Sequence, residues 1–241
     1  MVRPPPSLEI LHEDEDLLAV VKPAGIATAH APRGGDSLYA RARVDRPFVG
    51  VVSRLDLPVS GVVVFAMSAA AAADLSRQFR ERSVAKDYVA VTEGRFPGPL
   101  GSWMEWTDRV PPRAGTGPGP RARGPVRPDA DEGDDADPLE DDAGSESTAR
   151  ARVVQRAGEV SLVELAPSTG RKHQLRIQLA SRGCPIVGDR RYGARLPFPA
   201  GIALHARSLV LRHPDTGELV RFLAPIPVEW SRRFASLDLP G

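Results

Sequence analysis

Residues 53–66 read SRLDLPVSGVVVFA. The second part, Val62 to Ala66, is β-branched and aromatic and carries no charge, the composition of a buried central strand. Met67 and Ser68 end it, and Ser68 is placed to cap a helix over AAAAADLSRQFRER. In that helix Leu75 and Phe79 share one face at i, i+4 spacing, and the last turn is basic. KDYVAVTEG (86–94) then alternates as the next strand should, ending at Gly94. Asp56 precedes the first of these strands, beside Arg54 and between two leucines. On local grounds it either closes a turn or is a residue the loop exists to present.

Upstream, residues 8–30 (LEILHEDEDLLAVVKPAGIATAH) predict two short strands around an acidic turn, the second bounded by Asp16 and Pro23, with KPAG as a turn. Downstream, ARARVVQR and VSLVELAP predict a hairpin around Ala157 and Gly158. In STGRKHQLRIQLASRG, Ser168 or Thr169 would cap a helix with Leu175 and Leu179 inward and Gly183 as its stop. CPIVGDRRYG reads as a loop, and IALHARSLVLRHP and LVRFLAP as strands joined by a turn at HPDTGE. No internal repeat is present. Strands outnumber helices and most are joined by hairpins, so the predicted class is α+β with a mixed, largely antiparallel sheet and flanking helices and loops.

Between residues 109 and 147 the chain is rich in Pro, Gly and acid and poor in core formers. Such a segment cannot bury enough apolar surface to offset its ordering entropy, so a disordered insertion in one domain spanning 8–235 is predicted. Its acidic end could fold back on a basic site or simply be solvated. Trp103 and Trp106, just before it, would cover the core or stack on bases.

The net charge of +1 hides an asymmetry. Asp129–Glu146 holds ten acidic residues and no Lys or Arg, so the remaining chain sets 32 basic against 21 acidic residues, an excess of eleven. That excess favours a polyanionic partner, nucleic acid first. No apolar run reaches the roughly 20 residues of a membrane span. The N-terminus lacks the apolar core of a secretory signal, so a cytoplasmic protein is expected. The one cysteine, Cys184, cannot form an internal disulfide and reads as a small buried residue.

Metal-ligand spacing, Gly-rich phosphate loops and a nucleophile-elbow serine are all lacking, so neither metal nor nucleotide cofactor is expected. His30, His205 and His213 read as structural or exposed residues. What stands out is TGRKHQLR, which packs Arg171, Lys172, His173, Gln174 and Arg176 into one helix start suited to phosphates. His173 could bind phosphate or be a hydrogen-bonded scaffold residue. Arg176, between Leu175 and Ile177, should be partly buried and would then need a carboxylate, for which Asp56 is the natural candidate.

RLDLPVSGVVVFA, KDYVAVTEG, TGRKHQLRIQLASRGCPIVGDRRYG, LHARSLVLRHPDTGELVRFLAPIP and HEDEDLLAVVKPAG together resemble the RluA family of RNA pseudouridine synthases. The blocks are collinear from about Ile10 to Trp230. The resemblance implies the pseudouridine synthase catalytic fold and an isomerase that detaches uracil at N1 and rejoins it through C5, without cofactor or metal. It implies that Asp56 is catalytic, attacking C1′ or removing the 2′ proton. Tyr88 would stack on the flipped uracil and assist at C5. Arg176 would pair with Asp56, Ile177 would wall the base, and Arg54 would replace the extruded nucleotide or bind phosphate. The implied partner is structured ribosomal or transfer RNA presenting a flipped uridine, bound by a monomer without an N-terminal S4 domain. Two positions depart from the family pattern: Ser53 and Gln178 stand where histidines are usual. They motivate a second reading, a non-catalytic RNA-binding or RNA-chaperone module. A third is a small-molecule hydrolase in which Asp56 only shapes a turn.

Overall fold

The computed structural model describes residues 8–29, 36–109 and 146–240. Along the chain the elements are β1 (Glu9–Glu13), β2 (Leu17–Lys22), α1 (Leu38–Ala42), β3 (Gly50–Val51), β4 (Ser60–Ala66), α2 (Ala69–Arg80) and β5 (Ala85–Glu93). They continue with β6 (Trp103–Arg109), β7 (Glu146–Ala157), β8 (Val160–Pro167), α3 (Gln174–Ser181), β9 (Leu204–Arg212), β10 (Leu219–Leu223) and α4 (Val228–Arg233). They form two compact units, one holding the chain up to Lys86 with His205–Ile226, the other Asp87–Leu204 with the chain from Pro227 on.

In the first unit β4 is buried at every residue. It pairs antiparallel with β2 from Leu17 opposite Ala66 to Lys22 opposite Gly61, and parallel with β9 at Ser60 and Gly61. β1 extends the sheet beyond β2, β10 pairs with β9, and β3 pairs with β4. Both faces of β4 are covered, which is why its sequence is a continuous apolar run rather than an alternation. Val62 and Val64 pack with Leu17, Ala19, Leu209 and Leu211 beneath Ala71 and Leu75 of α2. Val63 and Phe65 pack with Leu18 and Val20 against Leu38 and Ala42 of α1. Ser68 caps α2 as its sequence predicts, its hydroxyl accepting from the Ala71 N–H at 3.0 Å.

In the second unit β5, β8, β7 and β6 form an antiparallel sheet. Ala149, Ala151, Val163 and Leu165 are buried in it. Helix α3 is tied to the sheet by polar contacts: Gln178 Nε2 donates to the Ser147 carbonyl at 2.9 Å and Gln174 Nε2 to the Thr148 carbonyl at 3.1 Å. In α4, Trp230 is buried against the Phe198 and Phe234 rings.

The mixed, mostly antiparallel sheet and the α+β class agree with the sequence reading. Four elements were not legible: α1, β3 and α4 are short, and β6 carries two tryptophans that read as core cover. Helix α3 starts later than expected. Neither Ser168 nor Thr169 caps it; its N-cap is His173, at φ 55°. The Gln174 side chain takes up the polar groups of the preceding loop, its Oε1 accepting from the Thr169 hydroxyl at 2.6 Å and the Arg171 N–H at 3.1 Å. The proposed insertion is shorter at both ends, because Arg109 closes β6 and Glu146 and Ser147 open β7. Its remainder, 110–145, lies outside the described residues, as does His30. Among the described residues no helix is long and apolar enough to cross a membrane.

Gly61 sets the approach of β4 to β9. It sits at φ +129°, and a Cβ there would lie 2.3 Å from the Ala206 carbonyl oxygen. Gly61→Ala is therefore expected to cost about 1–3 kcal/mol or more by forced displacement of backbone. The midpoint of urea unfolding reads it; an unchanged midpoint would show that the two strands can separate freely at this point.

Candidate active site

The loop 53–59 is fixed by residues of the loop that follows β2. Ahead of Asp56, the Thr28 hydroxyl donates to the Leu55 carbonyl at 3.0 Å and accepts from the Leu55 N–H at 3.1 Å. Behind Asp56, the Leu57 carbonyl accepts from the Gly25 N–H at 2.8 Å and from Lys22 Nζ at 3.1 Å. The Val59 N–H donates to the Asp56 carbonyl at 3.0 Å and closes a turn through Leu57 and Pro58. Both peptides that flank Asp56 are thus pinned, and Asp56 is half-buried while Arg54 is exposed. Of the local alternatives for Asp56, the turn is seen: its main-chain carbonyl closes one with Val59.

Ser53, the first departure from the family pattern, has a structural role. Its hydroxyl donates to the Val64 carbonyl and accepts from the Val64 N–H, both at 3.1 Å, continuing the edge pairing of β3 on β4. Gln178, the second, is fully buried and its Nε2 supplies one of the bonds from α3 to β7.

The remaining site residues belong to the second unit. Tyr88 is half-buried on β5, opposite Leu165 of β8. Arg171 and Lys172 are half-buried in the loop before α3, and Ile177 is half-buried on the helix. Arg176 is buried, as expected, and a carboxylate does meet it: Nε donates to Asp189 Oδ2 at 2.8 Å and Nη2 to Oδ1 at 3.0 Å. The pair is almost dry, with side-chain exposures of 4% and 1%. The Arg176 guanidinium also lies 5.0 Å from the centroid of the Tyr192 ring, and the Tyr192 hydroxyl lies 2.7 Å from His173 Nδ1. His173 is therefore buried in a hydrogen-bonded scaffold, the second of its two readings.

Asp189 and Tyr192 were missed because GDRRYG reads locally as a turn. The signal available was an Asp-Tyr pair close in sequence to a helix whose buried arginine needs an anion and a π-face. Thr28 and Lys22 were missed because nothing in KPAGIAT distinguishes a turn from a clamp.

One cluster has the donor types of a metal site: His12, Asp14 and His213 each place a ligand atom within 4.8 Å of the others. The hydrogen bonds oppose that use. His213 Nδ1 accepts from the N–H groups of Asp215 and Thr216 at 3.2 and 3.3 Å, so its proton is on Nε2, which faces Asp14 at 2.9 Å. Burial raises the Asp14 carboxyl, but hydrogen bonds from His12, His213 and the N–H groups of Leu17 and Asp16 outweigh it and hold the group well below the ordinary carboxylate range.

With this geometry in place, comparison with known proteins is direct. Residues 16–181 match the model of the RNA pseudouridylate synthase family. The chain belongs to the RNA pseudouridylate synthase family. It is 33% identical over 230 residues to the dual-specificity RNA pseudouridine synthase RluA of Haemophilus influenzae, covering 91% of this chain and 93% of that one. It is 34% identical over 232 residues to the Escherichia coli K12 protein of the same name, covering 91% and 94%. Among solved structures, human RNA pseudouridylate synthase domain containing 1 aligns at TM-score 0.69 and 28% identity over 92% of this chain and 84% of that one. Human domain containing 4 aligns at TM-score 0.72 over 97% and 95%, and at 22% identity it speaks to the fold alone. As a pseudouridine synthase the chain is an isomerase acting on RNA.

Two outcomes follow from these contacts. Asp189→Ala leaves Arg176 buried without this carboxylate and is expected to destabilise by about 3–5 kcal/mol, whereas a double replacement by apolar residues of similar volume recovers most of the loss. Urea unfolding of the two single and the double variant reads the coupling; additive effects would show the pair to be energetically idle. Asp14, with its lowered folded-state pKa, contributes stability that is complete above its unfolded value near 3.8 and is lost progressively as pH falls from there through the lowered folded-state value. The gap in unfolding midpoint between wild type and Asp14→Asn should therefore be widest at pH 7 and shrink steadily as pH is taken below 3.8.

Proposed function

We propose that the chain isomerises specific uridines in structured ribosomal or transfer RNA, with Asp56 as the group that starts the reaction. The observation that supports this most directly is the pinning of both peptides around Asp56, which presents one half-buried carboxylate on a fixed loop. A charge that must meet the ribose in one geometry benefits from such preorganisation. The name dual-specificity borne by the RluA relatives supports a substrate range that includes more than one RNA.

In this reading the target uridine leaves its stack and the ring of Tyr88 receives the uracil, with Ile177 as an apolar wall. Asp56 attacks C1′, or takes the 2′ proton to give a glycal. In either case the N1–C1′ bond breaks, the base turns, C5 bonds to C1′ as Asp56 leaves C1′ or returns the proton to C2′, and the C5 proton is lost as N1 gains one. The product is an isomer, so no electrons enter or leave. The resemblance gives Arg176 the role of keeping Asp56 ionised, and its guanidinium is oriented by Asp189 and Tyr192. Arg171 and Lys172 take phosphates, with His173 and Gln174 holding their loop in shape, while Arg54, exposed beside Asp56, fills the gap left by the base or binds phosphate. The enzyme works as a monomer.

The departures at Ser53 and Gln178 do not favour a non-catalytic RNA binder, since Ser53 Oγ and Gln178 Nε2 are both engaged by main-chain groups of the fold. Tritium release from RNA labelled at uracil C5 tests the assignment. Asp56→Asn should abolish release at single turnover while filter-binding affinity stays within about threefold, and affinity should fall steeply with salt. Full activity in Asp56→Asn would refute the catalytic role, and salt-insensitive binding would refute the phosphate contacts.

A further inference from the structure

Lys22 is fully buried at the end of β2. Its Nζ donates to three main-chain carbonyls, Ile26 at 2.7 Å, Pro23 at 3.1 Å and Leu57 at 3.1 Å. A neutral amine has two N–H bonds, and an ammonium has three. The three acceptors therefore select the ammonium. Two of them belong to the turn after β2, and the third is the carbonyl of Leu57, the residue that follows Asp56. The same Leu57 carbonyl accepts from the Gly25 N–H at 2.8 Å, so the ammonium and the turn converge on one oxygen.

A buried ammonium is costly unless it is hydrogen-bonded and has an anion within reach. Burial pushes Lys22 down to about 7, and the negative charge of Asp56 pulls it back up. The three carbonyls bear partial negative charge and favour the ammonium further. The lysine is thus enclosed by the two segments whose relative placement sets where Asp56 points, and its charge is felt at that carboxylate.

We propose that Lys22 is a positioning residue for the isomerisation: its ammonium, chelated by the carbonyls of Pro23, Ile26 and Leu57, locks the Asp56 loop onto the turn after β2 and supplies the buried positive charge that Asp56 faces from within its own unit. This rests on the reading of Asp56 as the reacting carboxylate. It adds a cation on the interior side of the loop, distinct from Arg176, and it gives the KPAG turn a role in catalysis beyond reversing the chain. Thr28 completes the clamp from the other side of Asp56.

Lys22→Met keeps the length and removes the charge and the donors. Its single-turnover rate should fall on the order of 100-fold, as expected for a reacting group displaced by a fraction of an ångström to an ångström, with RNA affinity within about threefold of wild type. Lys22→Arg should recover at least about tenfold of that loss. A Lys22→Met rate within threefold of wild type, or equal losses in rate and affinity, would overturn the proposal. If Lys22→Met does not fold, the Nζ resonance of Lys22 is followed by nitrogen NMR in wild type and in Asp56→Asn. Removing the carboxylate should lower the pH at which the ammonium titrates; an unmoved midpoint overturns the proposal. Asp56→Asn also separates the two readings. If it is fully active, the assignment of Asp56 fails; if it is inactive while Lys22→Met keeps the wild-type rate, only the positioning role fails.

Discussion

The carbonyl of Leu57 accepts two hydrogen bonds, from the end of β2 and from the turn that follows it, and the placement of the loop that carries Asp56 depends on it. A carboxylate on an unrestrained loop would sample many directions, and each ordered residue costs about 1–2 kcal/mol of backbone entropy. Here that cost is met during folding by bonds to Thr28, Gly25 and Lys22, so it does not reappear when RNA binds. The bonds come from outside the loop itself. Loop 53–59 itself contributes the turn bond from Val59 to Asp56 and the pairing of Ser53 with Val64. Strand β4 makes this possible, because it is packed on both faces and cannot shift.

The second unit solves a related problem with a different pair. Arg176 is removed from water, and a buried guanidinium without a carboxylate would lose several kcal/mol. Asp189 holds it by two bonds, and Tyr192 covers it with a ring that is itself anchored on His173. The guanidinium is a planar fork, so two bonds to one carboxylate fix its orientation and not merely its presence. His173 itself sits at φ 55° as the residue from which the chain enters α3, with its ring on the Tyr192 hydroxyl.

How much of this was legible follows from the range of the forces. VVVFA, the Ser68 cap and the hairpins after Ala149 are set by neighbours a few residues away, and the sequence shows them. The partner of a buried charge is set by the tertiary fold. Burial of Arg176 could be read from its leucine and isoleucine neighbours, and so could its need for an anion, but Asp189 lies in a stretch whose local pattern says only turn. Thr169 looked like a helix cap because its local spacing fits one. The Gln174 side chain takes the loop's polar groups instead, and that contact depends on the bond between Gln174 and Thr148. Strand β6 was hidden for another reason. Its alternating exposure leaves Trp103 on the open face, where the Arg150 and Arg152 guanidiniums lie within 5.4 Å of its ring.

The two positions that depart from the family's usual histidines show what such a difference does and does not imply. A histidine near a polyanion can serve as a charge, but Ser53 and Gln178 are here used as short neutral ties to main-chain groups. Neither tie reaches the functional groups of Asp56 or Arg176; they hold the strand edge and the helix that carry those residues. Loss of a histidine beside RNA weakens phosphate binding or shifts its pH dependence, whereas loss of a tie moves the carboxylate. The chain has kept the second kind of interaction at both positions.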